Sequence, residues 1–145
     1  MMLTIALSKG RLADSAAKIL KQCGLNTDVL FEDSRKLVFC DEVNSVRFIL
    51  VKPTDVPVYV DHGIADMGIV GKDTLLEAGL PLYEMVDLRM AKCKMSVAGL
   101  VGAQEQRGEI TSNIKRVATK YPRMAKMFYN GSSDPIAILA PGLIS

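Results

Sequence analysis

The stretch LTIALSKGRL, Leu3 to Leu12, decides the fold: an apolar, partly β-branched run stops abruptly at two cations separated by a glycine. Met2 to Leu7 reads as a strand. From Arg11 onward the apolar positions Leu12, Ala16, Ile19, Leu20 and Cys23 carry the spacing of one helix face. Lys9, Gly10 and Arg11 therefore lie on a strand-to-helix turn, and Gly24 is placed to end the helix as a left-handed cap.

Working outward, RKLVFC and VRFILVK (residues 35–40 and 46–52) are β-rich runs joined by the short polar link DEVNS, which predicts a hairpin or adjacent antiparallel strands. In PTDVPVYVDHG, Pro53 breaks the strand, Thr54 or Asp55 can cap a helix, Pro57 suits its first turn and Gly63 ends it. ADMGIVG then reads as a short buried strand, KDTLLEAG as a short helix and LYEMVDL as another strand, a β/α alternation that builds a mixed or parallel sheet. On this pattern a first α/β lobe occupies residues 1–90, and residues 91–145 form part of a second. In the second, CKMSVAGLV and IKRVATK read as strands. YPRMAKMFYNG reads as a helix with Met124, Met127 and Phe128 on one face, and the tail SSDPIAILAPGLIS reads as irregular.

A chain of 145 residues, 49% hydrophobic, can bury a core; its 18 basic and 16 acidic side chains give a net charge of +2 without a like-charge block. That field argues against a nucleic-acid or membrane-surface partner, so any anion site is local. Cys23, Cys40 and Cys93 are widely spaced and odd in number, which reads as reduced thiols used as small core residues. The first residues read as a strand with charges by Lys9, so we expect neither a secretory segment nor a membrane span, and a cytoplasmic protein.

Polar residues gather in four turns next to apolar strands: Lys9-Gly10-Arg11, Asp33-Ser34-Arg35-Lys36, Lys52-Pro53-Thr54-Asp55 and Gly71-Lys72-Asp73. In an open α/β sheet such turns converge on the crevice beyond the strand ends. Arginine, lysine and free N–H groups at helix starts would suit a polyphosphate there. GIVGKD is not a P-loop: Asp66 stands five residues before Gly71, and Asp73 replaces the hydroxyl residue. A tight turn with Asp73 as a helix-start charge is the simpler reading of it, a one-anion nest the other. The single His62, just before Gly63, is adequately explained as a helix C-terminal group. No metal-ligand cluster or Ser-His-Asp spacing is legible, so the chemistry needs no protein nucleophile.

LTIALSKGRL, DSRKLVF, VKPTDVPVYVDHGIADMGIVGKD and KRVATKYP occur in the order and approximate spacing of the ATP phosphoribosyltransferases, which open histidine biosynthesis. From about Leu3 to Tyr129 the chain resembles that family, with DSRKL and DVPVYVDHG more similar to its short form; Ser8, where many members have proline, is a departure. The resemblance implies transfer of the phosphoribosyl group of phosphoribosyl pyrophosphate to N1 of ATP, with pyrophosphate released and Mg²⁺ arriving with the substrate. It implies two lobes like those of type II periplasmic binding proteins, the first nearly complete here and the second partial. It also implies a regulatory subunit similar to a histidyl-tRNA synthetase, and a homo-oligomer. On this reading Arg11 and Arg35 stabilise the departing pyrophosphate. Lys9, Gly10, Ser34, Lys36, Lys52, Asp55, Gly71, Lys72, Asp73, Thr119 and Lys120 bind substrate.

After KMFYNG the family continues through a GSxELAP segment and an Asp-containing Thr-Gly-x-Thr-Leu loop expected to seat the ribose phosphate. Here the sequence reads GSSDPIAILAPGLIS instead. The expectation is therefore a transferase family member that is truncated, internally deleted or incomplete. Competing with it are a noncatalytic nucleotide- or anion-binding lobe and a subunit fragment whose unfinished sheet pairs with another chain.

Overall fold

The computed structural model describes residues 2–31, 36–98 and 116–129, and the backbone of 137–139. It divides into two compact units, Met1–Lys92 and Cys93–Ser145.

In the first unit β1 (Leu3–Ser8) leads into α1 (Arg11–Gln22), a 3-10 turn (Asp28–Phe31), the strands β2 (Val38–Asp41) and β3 (Val46–Val51), α2 (Asp55–Asp61), β4 (Met67–Ile69) and α3 (Lys72–Ala78). The sheet order is β2-β3-β1-β4. β1 is parallel to β3 and β4, whereas β2 and β3 form the expected antiparallel pair, so the sheet is mixed.

Why β1 is apolar throughout follows from its position. Ile5 and Leu7 pack with Phe39, Val46, Phe48 and Ala16 of α1 on one face, while Ala6 packs with Val56 of α2 and Ala65 on the other. A strand covered on both faces has no solvent side to keep polar. Full burial of side chains such as Ile5, Leu7 and Phe48 contributes about 1.5–3 kcal/mol each. α1 takes the chain from β1 toward β2 and β3; α2 then brings it back across β1 to β4. The direction of winding therefore changes at β1.

The helix ends are locally encoded. Gly24 has φ 89°, with Leu25 N–H donating to the Leu20 carbonyl (3.1 Å) and Gly24 N–H to Lys21 (3.0 Å), the pairing of a Schellman cap. α2 ends the same way at Gly63, φ 67°, through Ile64 N–H to the Tyr59 carbonyl at 2.9 Å. Gly68 meets a different demand. A Cβ there would lie 2.5 Å from Val56 Cγ1 and 3.2 Å from Val60 Cγ2, so α2 sits directly on the β4 backbone. Gly68→Ala is expected to lower stability by about 1–3 kcal/mol through overpacking. The check is the urea midpoint at unchanged denaturant slope; an unmoved midpoint would mean that Val56 yields freely.

The opposite end of the sheet is closed by Asp41, which is buried. Its carboxylate accepts from Asn26 N–H (2.7 Å), Asn44 Nδ2 (2.7 Å) and Asn44 N–H (3.2 Å), tying the loop after α1 to the β2–β3 turn. The Asn44 side chain, then the Asn26 amide, hold the Asp41 pKa below its ordinary 3.8. A lowered folded-state pKa stabilises the fold above the unfolded value, and that stabilisation is lost as pH falls through the folded value. Urea midpoints followed down to about pH 2 should fall along an acid limb that Asp41→Asn flattens. An identical limb in the variant would remove Asp41 from acid unfolding.

Four expectations are corrected here. ADMGIVG does contain a strand, β4, but not a buried one: at the edge of the sheet Met67 and Gly68 are exposed and Ile69 is half-buried. LYEMVDL (82–88) is not a strand: Leu82 N–H turns back to the Leu80 carbonyl (2.8 Å), Arg89 N–H closes on Asp87 Oδ1 (2.8 Å), and Arg89 and Ala91 have φ of 53° and 49°. Turns and left-handed backbone end extension whatever the side-chain propensity. Residues 93–98 of CKMSVAGLV are likewise not strand, and 99–101 lie outside the described residues. The cysteines are free, but all three are exposed rather than core.

The second unit contains β5 (Arg116–Ala118), α4 (Pro122–Tyr129) and β6 (Ala137–Leu139), with β6 parallel to β5. A strand thus lies in the tail expected to be irregular. It is short enough for flanking prolines and glycine to mask its signal. Pro122 opens α4, where a missing N–H costs nothing. Met127 and Phe128 are exposed, whereas Tyr129 is buried.

Candidate functional site

Because β1, β3 and β4 are parallel, their carboxyl ends lie side by side: Ser8 pairs with Val51, and Leu7 with Ile69. Of the turns that follow, the first is bonded across to β3 and the other two close on themselves. Lys9 N–H donates to the Val51 carbonyl (3.0 Å), Asp55 N–H to Lys52 (2.9 Å) and Leu75 N–H to Gly71 (3.1 Å). β2 runs the other way, so its start is here too, with Leu50 N–H donating to the Leu37 carbonyl at 2.8 Å and Lys36 next in line. Ser34 and Arg35 lie outside the described residues.

Gly10 is the hinge of the central turn. Its φ of 97° and ψ of −160° belong to a region that essentially only glycine occupies. No heavy atom lies within 4 Å of where a Cβ would stand, and no side chain caps the first turn of α1. The helix start therefore presents bare backbone with its N-terminal partial positive charge. Lys9, Arg11 and Lys52 are exposed around it, and among the described residues none of the three has an ion-pair partner.

The turn before α3 is built differently. Lys72 Nζ pairs with Glu84, and the Asp73 carboxylate folds over Gly71, in the space a side chain at Gly71 would need. Asp73 thus supplies the negative charge of its own helix start. Asp55 Oδ1 accepts from Thr54 Oγ1 at 3.2 Å; Thr54 holds the cap position of α2 without a side-chain bond to its backbone. His62 caps the far end of α2, its Nδ1 3.0 Å from the Val58 carbonyl oxygen. Thr119 and Lys120 belong to the second unit, on the turn from β5 to α4. There Thr119 Oγ1 accepts from Tyr121 N–H at 3.0 Å, and Lys120 Nζ lies 4.9 Å from the Tyr121 ring centroid.

Sequence reading noted Ser8 only as a departure from the family's proline. It is 2% exposed, and its Oγ has no hydrogen-bond partner. An unpaired buried hydroxyl costs about 1–3 kcal/mol. Among the described residues no group of three or more His, Cys, Asp or Glu side chains is placed to hold a metal, and no helix is long and apolar enough to cross a membrane.

A mixed α/β sheet that reverses its winding at β1, with unneutralised cations on bare backbone at its carboxyl end, defines an α/β protein suited to an anionic ligand. Comparison with known proteins gives that class a family. The ATP phosphoribosyltransferase family model matches residues 52–140, and the chain belongs to that family. It is 50% identical over 127 residues to the ATP phosphoribosyltransferase of Ruminiclostridium cellulolyticum, covering 88% of this chain and 58% of the relative. It is 48% identical over 141 residues to that of Lachnoclostridium phytofermentans, covering 94% and 64%. Among solved structures, the ATP phosphoribosyl transferase (HisG:HisZ) complex from Thermotoga maritima matches with a TM-score of 0.65 and 27% identity, over 96% of this chain and 63% of that one. The chain thus spans about three-fifths of the length of these relatives. The family-model match takes in Lys52, Asp55, Gly71, Lys72, Asp73, Thr119 and Lys120, while Lys9, Gly10 and Arg11 precede it.

Proposed function

We propose that this chain serves the transfer of the phosphoribosyl group from phosphoribosyl pyrophosphate to N1 of ATP, the first step of histidine biosynthesis. Family membership supports the reaction. The observation that carries the site is the unneutralised Lys9-Gly10-Arg11 turn, held against the end of β3 at the carboxyl edge of the sheet.

As the ribose C1–O bond breaks, positive charge grows on the sugar and negative charge on the departing pyrophosphate. A cation that binds those oxygens better in the transition state than in the ground state accelerates the step. Arg11 does this with a rigid fork of donors that stays charged, Lys9 and Lys52 add point charge, and the bare backbone at Gly10 lets an oxygen come close. Arg35, with Ser34 and Lys36, joins them from the DSRK stretch that precedes β2 in the sequence. Gly71, Lys72 and Asp73 contribute from the turn that opens α3, with Lys72 shared between Glu84 and substrate. Thr119 and Lys120 contribute from the second lobe.

The donors gathered here are cationic, so they suit phosphate oxygens rather than a resident metal. Mg²⁺ enters with phosphoribosyl pyrophosphate, held by its oxygens and by water. The working enzyme has two lobes of the type II periplasmic-binding-protein kind, is cytoplasmic, and assembles as a homo-oligomer with a histidyl-tRNA-synthetase-like regulatory subunit. The HisG:HisZ assembly of the Thermotoga relative supports that partner. The test is to incubate the enzyme, completed to its relatives' length, with ATP, phosphoribosyl pyrophosphate, Mg²⁺ and that partner. A nucleotide heavier than ATP by one phosphoribosyl group, formed with equimolar pyrophosphate, is expected; pyrophosphate without that nucleotide would make the activity hydrolysis.

A further inference from the structure

We propose that Glu84 is a positioning residue that sets how tightly the carboxyl edge of the first sheet holds an anion, by occupying Lys72 until an anion displaces it. The inference rests on the anion-binding reading of that edge and names what regulates it from the neighbouring strand.

β4 runs parallel to β1 at its side, with Leu7 beside Ile69, and strands so paired lie about 4.8 Å apart, so the chain leaves both at one edge. Lys9 follows β1 there without an ion-pair partner among the described residues, whereas Lys72, three residues past the end of β4, is paired through Nζ with the Glu84 carboxylate. One turn thus offers open cations and bare backbone. The other is already neutralised, its helix start by Asp73 and its cation by Glu84. Glu84 is held loosely enough to leave. It lies in residues 82–90, which form neither helix nor strand, and its neighbours Tyr83, Met85 and Val86 are exposed, so no packed side chain has to move with it. The Lys72 and Glu84 side chains are themselves 60% and 39% exposed, and a pair so open to water is weak. The buried Asp41 carboxylate is the contrast, fixed by three bonds. A polyphosphate carries several negative charges against the single one of Glu84, and attraction for an ammonium grows with that charge. It draws Lys72 away at the cost of breaking the pair, and without the carboxylate that cost disappears.

Titration of inorganic pyrophosphate into the 145-residue chain and its variants tests this. Glu84→Gln should bind about two- to fivefold more tightly than the parent, the size of one exposed ion pair. Glu84→Ala, which also drops the carboxylate, should show the same gain. Because Glu84 acts through Lys72, the gain should vanish when Lys72 is replaced: the double variant Glu84→Gln, Lys72→Ala should bind like Lys72→Ala alone. A gain of equal size in both backgrounds would mean that Glu84 contributes only to the general field of the protein, and would overturn the proposal. Parental binding by Glu84→Gln alongside weakened binding by Arg11→Ala would leave the anion turn standing and remove Glu84 from it. If neither the parent nor Glu84→Gln binds pyrophosphate, the anion-binding reading of this edge falls, and the inference falls with it.

Discussion

Arg11→Ala lowers the single-turnover rate of phosphoribosyl transfer by about 10²–10³-fold, while ATP affinity changes far less. The size is that of removing one donor aimed at developing charge, about 2.7–4 kcal/mol in the barrier. Arg11 stands at the first position of α1, beside the bare Gly10 backbone, exposed and without a carboxylate partner among the described residues. Its charge is thus uncommitted before substrate arrives. Arg11→Lys should recover little of the rate, because an ammonium cannot reproduce the two parallel bonds of the guanidinium fork. Rapid-quench measurement on the enzyme completed to its relatives' length separates the chemical step from binding. Rates equal to the parent in both variants would end the leaving-group role of Arg11. Arg35→Ala carries the same expectation, from its place in the DSRK stretch of the sequence.

What made this turn legible in the sequence was that its signals are local. The change from strand period to helix period at Ser8–Arg11, and glycines at positions 10, 24 and 63 whose φ angles are 97°, 89° and 67°, act within a few residues. The convergence of the turns was a topological expectation. The register places three of them at one end: Ser8 beside Val51 and Leu7 beside Ile69.

What was not legible depends on partners distant in sequence. Tyr83, Met85 and Val86 have strand propensity, yet they are exposed and unpaired in any sheet, because propensity expresses itself only against a neighbouring strand. Asp41 sits in what reads as a plain polar link, and only the fold brings Asn26 to it, 15 residues away. Lys72 reads as an anion ligand until Glu84, 12 residues on, is seen paired with it. Ser8 was legible only as a hydroxyl at the end of an apolar run and as a departure from the family's proline. Its missing hydrogen bond is a property of three dimensions.

The largest effect is expected from chain length. The 145-residue polypeptide keeps the Lys9-Gly10-Arg11 turn, but its sequence lacks the Thr-Gly-x-Thr-Leu loop expected to seat the ribose phosphate, and it spans 58% and 64% of two relatives. Weak binding of an anion to the first unit is expected to remain. Placing the sugar carbon against adenine N1 needs both ends of phosphoribosyl pyrophosphate to be held, and such positioning is worth about 7–11 kcal/mol. The 145-residue polypeptide should therefore turn over near background even with the regulatory partner added. A chimera carrying the remaining second-lobe residues of the Ruminiclostridium relative should be faster by about 10⁵-fold or more. Both are assayed by pyrophosphate release after their masses are verified, because a contaminating full-length enzyme would imitate activity in the shorter one. Activity confined to the chimera places the phosphoribosyl site in the second lobe. Equal, robust turnover by the two would instead put the whole reaction centre within these residues, and the ribose phosphate would then need a seat other than the loop named here.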